Sequence, residues 1–183
     1  MADPLPKLLD VRKFIAANIE LHASEPLKNF GRLRDMLESP ADESEWGDVD
    51  IRLHLFVDAQ GKRRIDGDVQ AAVLVTCQRC LQPMPLTLDS QFAVAAVWTD
   101  EDAEHLPKHL DAFIVGEGLQ DVRPLIEDEL IISLPYASYH ELEDCAVEPY
   151  RAAESNDDGD VDAAQPEAKE NPFKVLELLK PGK

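Results

Sequence analysis

A chain of 183 residues with 44% hydrophobic content can build one ordinary core, which argues for one domain with appendages rather than two domains. A formal charge of -19, from 37 acidic against 18 basic residues, excludes a broad surface for wrapping nucleic acid, because such a surface needs surplus Lys and Arg. No apolar run reaches the ~20 residues of a membrane span, Met1 to Pro6 lacks a basic stretch followed by an apolar one, and 3 cysteines make no paired disulfide framework, so a cytoplasmic protein with reduced thiols or a metal site is expected.

Asp10 to Asn18 reads as a helix, since Leu8, Val11, Phe14 and Ile15 fall near helical spacing. Ile19 to His22 alternates like a short strand. Leu27, Phe30, Leu33 and Leu37 then recur at three and four residues, with Lys28, Arg32 and Arg34 outside, which predicts a second short amphipathic helix. Ser39 to Asp48 is polar and acidic, a loop with Trp46 as its anchor.

The sheet begins at Val49. Val49, Ile51, Leu53, Leu55 and Val57 alternate with polar or charged neighbours and Phe56, the pattern of a half-buried strand. Gln60-Gly61-Lys62 makes a turn, and the partner strand runs from Arg64 to Cys77, with a bulge expected at Gly67. Lys62, Arg63 and Arg64 are the densest basic cluster. They read as ordinary hairpin-tip charges or, with Arg79, as a phosphate grip on RNA.

Val73 to Cys77 alternates in a β-branched run, Pro83 and Pro85 interrupt, and Leu86-Thr87-Leu88 resumes the period of two: a hairpin with Cys77 and Cys80 at its turn. Such a pair brings two sulfurs close enough for a metal, a disulfide or a redox role, and alone selects none of them. Leu86 to Trp98 continues the extended pattern, giving an antiparallel meander of at least four strands. Thr99 to His109 is an acidic loop or short helix, and Phe113 to Val115 a further edge strand.

Asp121 and Pro124 then start the clearest helix, with Glu127, Asp128 and Glu129 favouring the positive end of its dipole. Leu125, Ile126, Leu130, Ile131, Ile132 and Leu134 are too many for one stripe, so it should be largely buried until Pro135. Tyr136 to Cys145 returns towards the cysteine turn. The domain is drawn at residues 1–147. From 148 to 170 the sequence is acidic and poor in apolar residues, read as a disordered linker. Residues 171–183 regain a helix pattern: Asn171 caps, Pro172 follows, and Phe173, Val175, Leu176 and Leu179 lie on an apolar face suited to docking on its own domain or, as a tethered peptide, in a partner's groove.

Three segments, in order, resemble the YceD family, the large ribosomal RNA subunit accumulation proteins. They are Val75 to Cys80, Ile126 to Pro135 with His140 and Cys145 after it, and Asn171 to Leu176. Leu9 to Arg12 and Gly67 to Val69 also fit. The resemblance implies a bacterial cytoplasmic factor needed for accumulation of 23S ribosomal RNA. The implied setting makes basic ribosomal proteins, the precursor of the large subunit and 23S rRNA the expected partners, with neither a membrane nor a small-molecule substrate.

Cys77, Cys80, His140 and Cys145 are the set with ligand chemistry, three soft thiolates and an imidazole suited to one structural Zn2+. In the family the second segment often carries more cysteines, so His140 and Cys145 are a departure from its pattern. A thioredoxin-like role is disfavoured because that motif opens a helix, whereas strands flank this one. The expectation is an α+β, non-catalytic factor in large-subunit assembly. The alternative is a metal-dependent ribonuclease using clustered carboxylates, against which neighbouring helical residues point about 100° apart.

Overall fold

The computed structural model describes residues 3–42, 45–108 and 110–147. The predicted linker 148–170 and helix 171–183, with Phe173, Val175, Leu176 and Leu179, lie outside the described residues.

The chain order is β1 (Asp3–Pro4), α1 (Val11–Ala17), β2 (Ile19–Pro26), α2 (Gly31–Arg34), β3 (Asp48–Val57), β4 (Arg63–Thr76), β5 (Pro83–Val97), α3 (Asp100–Glu104), β6 (Asp111–Ile114) and α4 (Arg123–Ser133). The six strands of the described residues form one sheet in sequence order. From β2 to β5 each neighbour is antiparallel, but β1 runs parallel to β2 and β6 parallel to β5. The all-antiparallel expectation is therefore corrected to a mixed sheet in an α+β fold. The reason lies in the connections: α1 carries the chain back before β2, and the segment containing α3 does so before β6, so each edge strand enters in the same direction as its neighbour.

One face of the sheet is the core face. Val49, Ile51, Leu53 and Leu55 of β3 stand opposite Ala71, Val69, Gly67 and Ile65 of β4, and all but Gly67 are buried. Val11 and Ile15 of α1 and Leu125, Ile126 and Leu130 of α4 cover them. The other face carries Glu20, His54 and Asp66 in one cross-strand row and His22, Arg52, Asp68 and Gln91 in the next. That alternation is the period of two read as chemistry.

No bulge interrupts β4 at Gly67, contrary to expectation; the register runs on through Leu53, Gly67 and Phe92. The Phe92 ring lies over the glycine, where a Cβ would sit 2.2 Å from its Cζ. The glycine makes room for an aromatic cover, not for an extra residue. Pro83 and Pro85 likewise do not interrupt the strand, but pair with Thr76 and Leu74. Being two residues apart they point the same way, and β6 covers β5 only at Val94–Val97, so prolines fit this open stretch of edge.

The predicted second helix is split into a 3-10 turn, Leu27–Asn29, and α2, because Phe30 is non-helical at φ -98 and ψ 84. Leu27, Phe30 and Leu33 are nevertheless all buried, so the apolar spacing reported burial better than helix continuity. Ile132 of α4 is exposed, which corrects the reading of that helix as buried nearly all round.

Glu127 departs most from expectation. It does not serve the dipole of its own helix: one carboxylate oxygen accepts the backbone N–H groups of Arg32 (2.7 Å) and Leu33 (3.2 Å), the unpaired donors at the start of α2. The other accepts Arg32 Nε at 2.9 Å, and Asp128 takes Arg32 Nη1 at 2.6 Å. The start of α4 is served by Asp121, which accepts the Arg123 N–H at 2.9 Å.

Candidate metal centre

The hairpin between β4 and β5 closes by backbone bonds before any side chain acts. Cys77 N–H donates to the Gln82 carbonyl, and Leu81 N–H to the Cys77 carbonyl, each at 2.9 Å. Closing so tightly puts Leu81 at φ +58, a left-handed conformation that costs a residue with a Cβ roughly 1 kcal/mol or more. The turn Gln78–Cys80 between the two cysteines leaves their sulfurs within 4.8 Å of each other.

Pro135 stops α4, and the chain returns across this turn. Gln78 N–H donates to the Ser138 carbonyl at 2.8 Å, and His140 N–H to Cys77 Sγ at 3.4 Å. Cys80 Sγ and His140 Nδ1 are 3.3 Å apart. One donor atom from each of Cys77, Cys80, His140 and Cys145 lies within 4.8 Å of all the others. The four residues selected for their ligand chemistry are thus brought together.

Burial alone would push the Cys77 thiol up, but the backbone N–H groups of Cys80, His140 and Arg79 aim at its sulfur and hold it down to about 5. The sulfurs of Cys80 and Cys77 raise His140 by accepting from its ring. A thiolate prepared by backbone donors is the state a soft metal binds. Zn–S bonds of about 2.3 Å in a tetrahedron set sulfurs about 3.8 Å apart, so the cluster needs only slight contraction to enclose one ion. The three thiols and one imidazole fit a structural zinc ion with four protein ligands.

The basic residues are distributed differently. Arg63 lies over the Trp98 ring at 4.6 Å, and Arg12 over the same ring at 4.3 Å. Arg64 points to the other face, paired with Asp66 at 3.1 Å. Lys62 sits at the hairpin tip, its backbone N–H donating to Asp58 at 2.8 Å. Arg79 lies past the far end of the 14-residue strand β4, on the order of 45 Å along the chain, over the Tyr139 ring at 5.6 Å. Lys62, Arg63, Arg64 and Arg79 do not form one patch. Arg12 and Trp98, which join Arg63, carried no sequence signal; residues 86 apart meet only through the fold.

The carboxylates Glu127, Asp128 and Glu129 also diverge. The first two hold Arg32, while Glu129 meets Ser90 at 3.5 Å. Among the described residues no helix is long and apolar enough to cross a membrane.

Fold and site together define an α+β sheet domain whose cysteine hairpin and the segment after α4 meet in a cluster of three thiols and an imidazole. The family model of the large ribosomal RNA subunit accumulation protein YceD matches residues 65–180, a span that includes every member of this cluster. The chain is also 34% identical over 137 residues to the large ribosomal RNA subunit accumulation protein YceD of Haemophilus influenzae, covering 73% of this chain and 74% of that protein. The chain belongs to the YceD family. No solved structure matches it.

Proposed function

We propose that this protein is a non-catalytic, cytoplasmic factor in assembly of the large ribosomal subunit, acting by binding a precursor particle through its basic ribosomal proteins and so favouring accumulation of 23S rRNA. Membership of the YceD family carries this reading. The charge of -19 supports a protein-directed contact, because an acidic surface steers cationic partners and repels phosphate. Phe173, Val175, Leu176 and Leu179 add a second contact, raising affinity through the intervening chain. Cys77, Cys80, His140 and Cys145 bind one structural Zn2+, whose role is to fix the segment after α4 on the cysteine hairpin.

The test is sedimentation of extracts from cells carrying a tagged full chain. Comigration with precursor particles, persisting after mild ribonuclease treatment and weakening with salt, is the expected result. Absence from those particles overturns the reading. Cleavage of precursor rRNA by the purified protein, abolished by carboxylate substitutions, would replace it with the ribonuclease alternative.

A second reading is direct contact with 23S rRNA. The pair of guanidiniums over Trp98 favours it, since neither Arg12 nor Arg63 has a carboxylate partner among the described residues. Substituting Lys62, Arg63 and Arg64 by Glu would then weaken RNA binding and flatten its salt dependence, and Arg79→Glu would do so from the other end.

A further inference from the structure

The cysteine hairpin and the segment it holds form a small lobe with an unusual surface. Leu81, Tyr139 and Leu142 are 70%, 52% and 61% exposed, and Tyr136 is wholly so. Leu81 follows Cys80, while Tyr139 precedes His140 and Leu142 stands two residues after it, so all three are carried by the two segments whose ligand atoms converge. Arg79 lies over Tyr139 and supports its ring.

Leu81 is the informative residue. At φ +58 a glycine would sit without strain, yet the chain places a leucine there and leaves it in water. Neither backbone geometry nor core packing accounts for that choice.

The neighbouring charges select the partner. Glu141, Glu143 and Asp144 are exposed and make no ion pair among the described residues. Exposed apolar side chains beside three free carboxylates, with Arg79 the one Lys or Arg in residues 77–82 and 134–147, fit a cationic segment that carries its own apolar anchor better than a phosphate backbone.

We propose that Leu81, Tyr139 and Leu142, with Tyr136 beside them, are the docking surface for a cationic, apolar-bearing segment of a protein in the precursor particle. The inference rests on the ribosomal reading above and names its point of contact. The metal clasp acts as the rigid mount of this surface, holding two segments that are some sixty residues apart in the chain.

The test compares the full-length chain with Leu81→Gly and Leu142→Ser for binding to large-subunit precursor particles isolated from cells lacking the protein. Leu81→Gly relieves the left-handed strain, so its thermal stability should equal or exceed that of the unsubstituted chain while its affinity falls at least about tenfold. Leu142→Ser, at an exposed position, should lose affinity similarly with little change in stability. Reversing Glu141, Glu143 and Asp144 to Lys should weaken binding most at low salt. Unchanged affinity in both apolar variants would overturn the docking surface and leave the ribosomal reading standing. If the unsubstituted chain fails to bind the particles, the ribosomal reading falls and takes the surface with it. Equal binding to deproteinised precursor RNA would overturn the protein partner in favour of RNA.

Discussion

The body of the sheet and the cysteine lobe are held together by different physics. Between β3 and β4 the inward positions are buried one after another, under α1 on one side and α4 on the other. In the lobe, residues 77–82 and 134–147, Cys77 alone is buried. The body can therefore draw its stability from apolar area, at about 25 cal/mol per Å2, while the lobe has almost none to draw on. A segment that buries so little keeps one conformation only if something else ties it, which is what small domains use metals for.

Removing the tie should have the largest effect. Treatment with a zinc chelator, or Cys80→Ser, should remove local stabilisation on the order of 10 kcal/mol. Hydrogen exchange would locate it: the Gln78 and His140 amides should lose protection while Ile51 and Val69 keep theirs. Loss in both regions together would make the contrast wrong, and unchanged lobe protection would remove the metal from the account.

Glu127→Ala tests the body at its polar point. It leaves two backbone donors of α2 and the Arg32 Nε without their acceptor, while Asp128 still holds Arg32 Nη1, a cost of about 3 kcal/mol read from the denaturant midpoint. The lobe's metal affinity should not change. A metal affinity that fell in parallel would mean that the two regions share one cooperative unit.

Gly67→Ala presses on the body's tightest contact. Its Cβ would meet the Phe92 ring, so a loss of about 1–3 kcal/mol in chemical denaturation is expected. Combining it with Phe92→Leu should recover part of that loss, and no recovery would place the cost in the backbone instead.

Glu129→Gln should give the smallest effect, with opposite sign. Burial, with repulsion from Asp111 and Asp128, holds Glu129 above its ordinary value of 4.5, against a weaker lowering by the Ser90 hydroxyl. Its contribution to stability is therefore complete below the unfolded value and lost as pH rises through the folded one. The Gln variant should be slightly more stable than the parent at pH 7 and equal to it near pH 4. Thermal melts at the two pH values check this, and a gain that persisted in acid would assign the effect to packing.

Much of the body was legible because strand alternation is a local code. β3 and the far limb of β4 follow from Val49 to Val57 and Val69 to Thr76 read in steps of two. The clasp was legible for another reason: the chain has 3 cysteines, so few ligand sets exist to choose among. What the sequence hid was long-range. Nothing near Glu127 announces that it caps a helix 95 residues earlier, and nothing near Gly67 announces Phe92. The parallel edges were hidden too, since strand direction depends on how the connections pass, not on the strand residues.

The order in which the strands lie also bears on how the chain can fold while it is being made. Strands β2 to β5 pair strictly with the next in sequence, so they can zip as each emerges, with short searches and little delay. The opening segment cannot finish so early. Leu9 and Gln120 exchange backbone bonds at 2.8 Å, Arg12 donates to the Val115 carbonyl, and Arg32 waits for Glu127. The segment ahead of β2 and the start of α2 thus lack these latches until synthesis has passed position 127, leaving a nascent chain with its sheet formed and one flank still open.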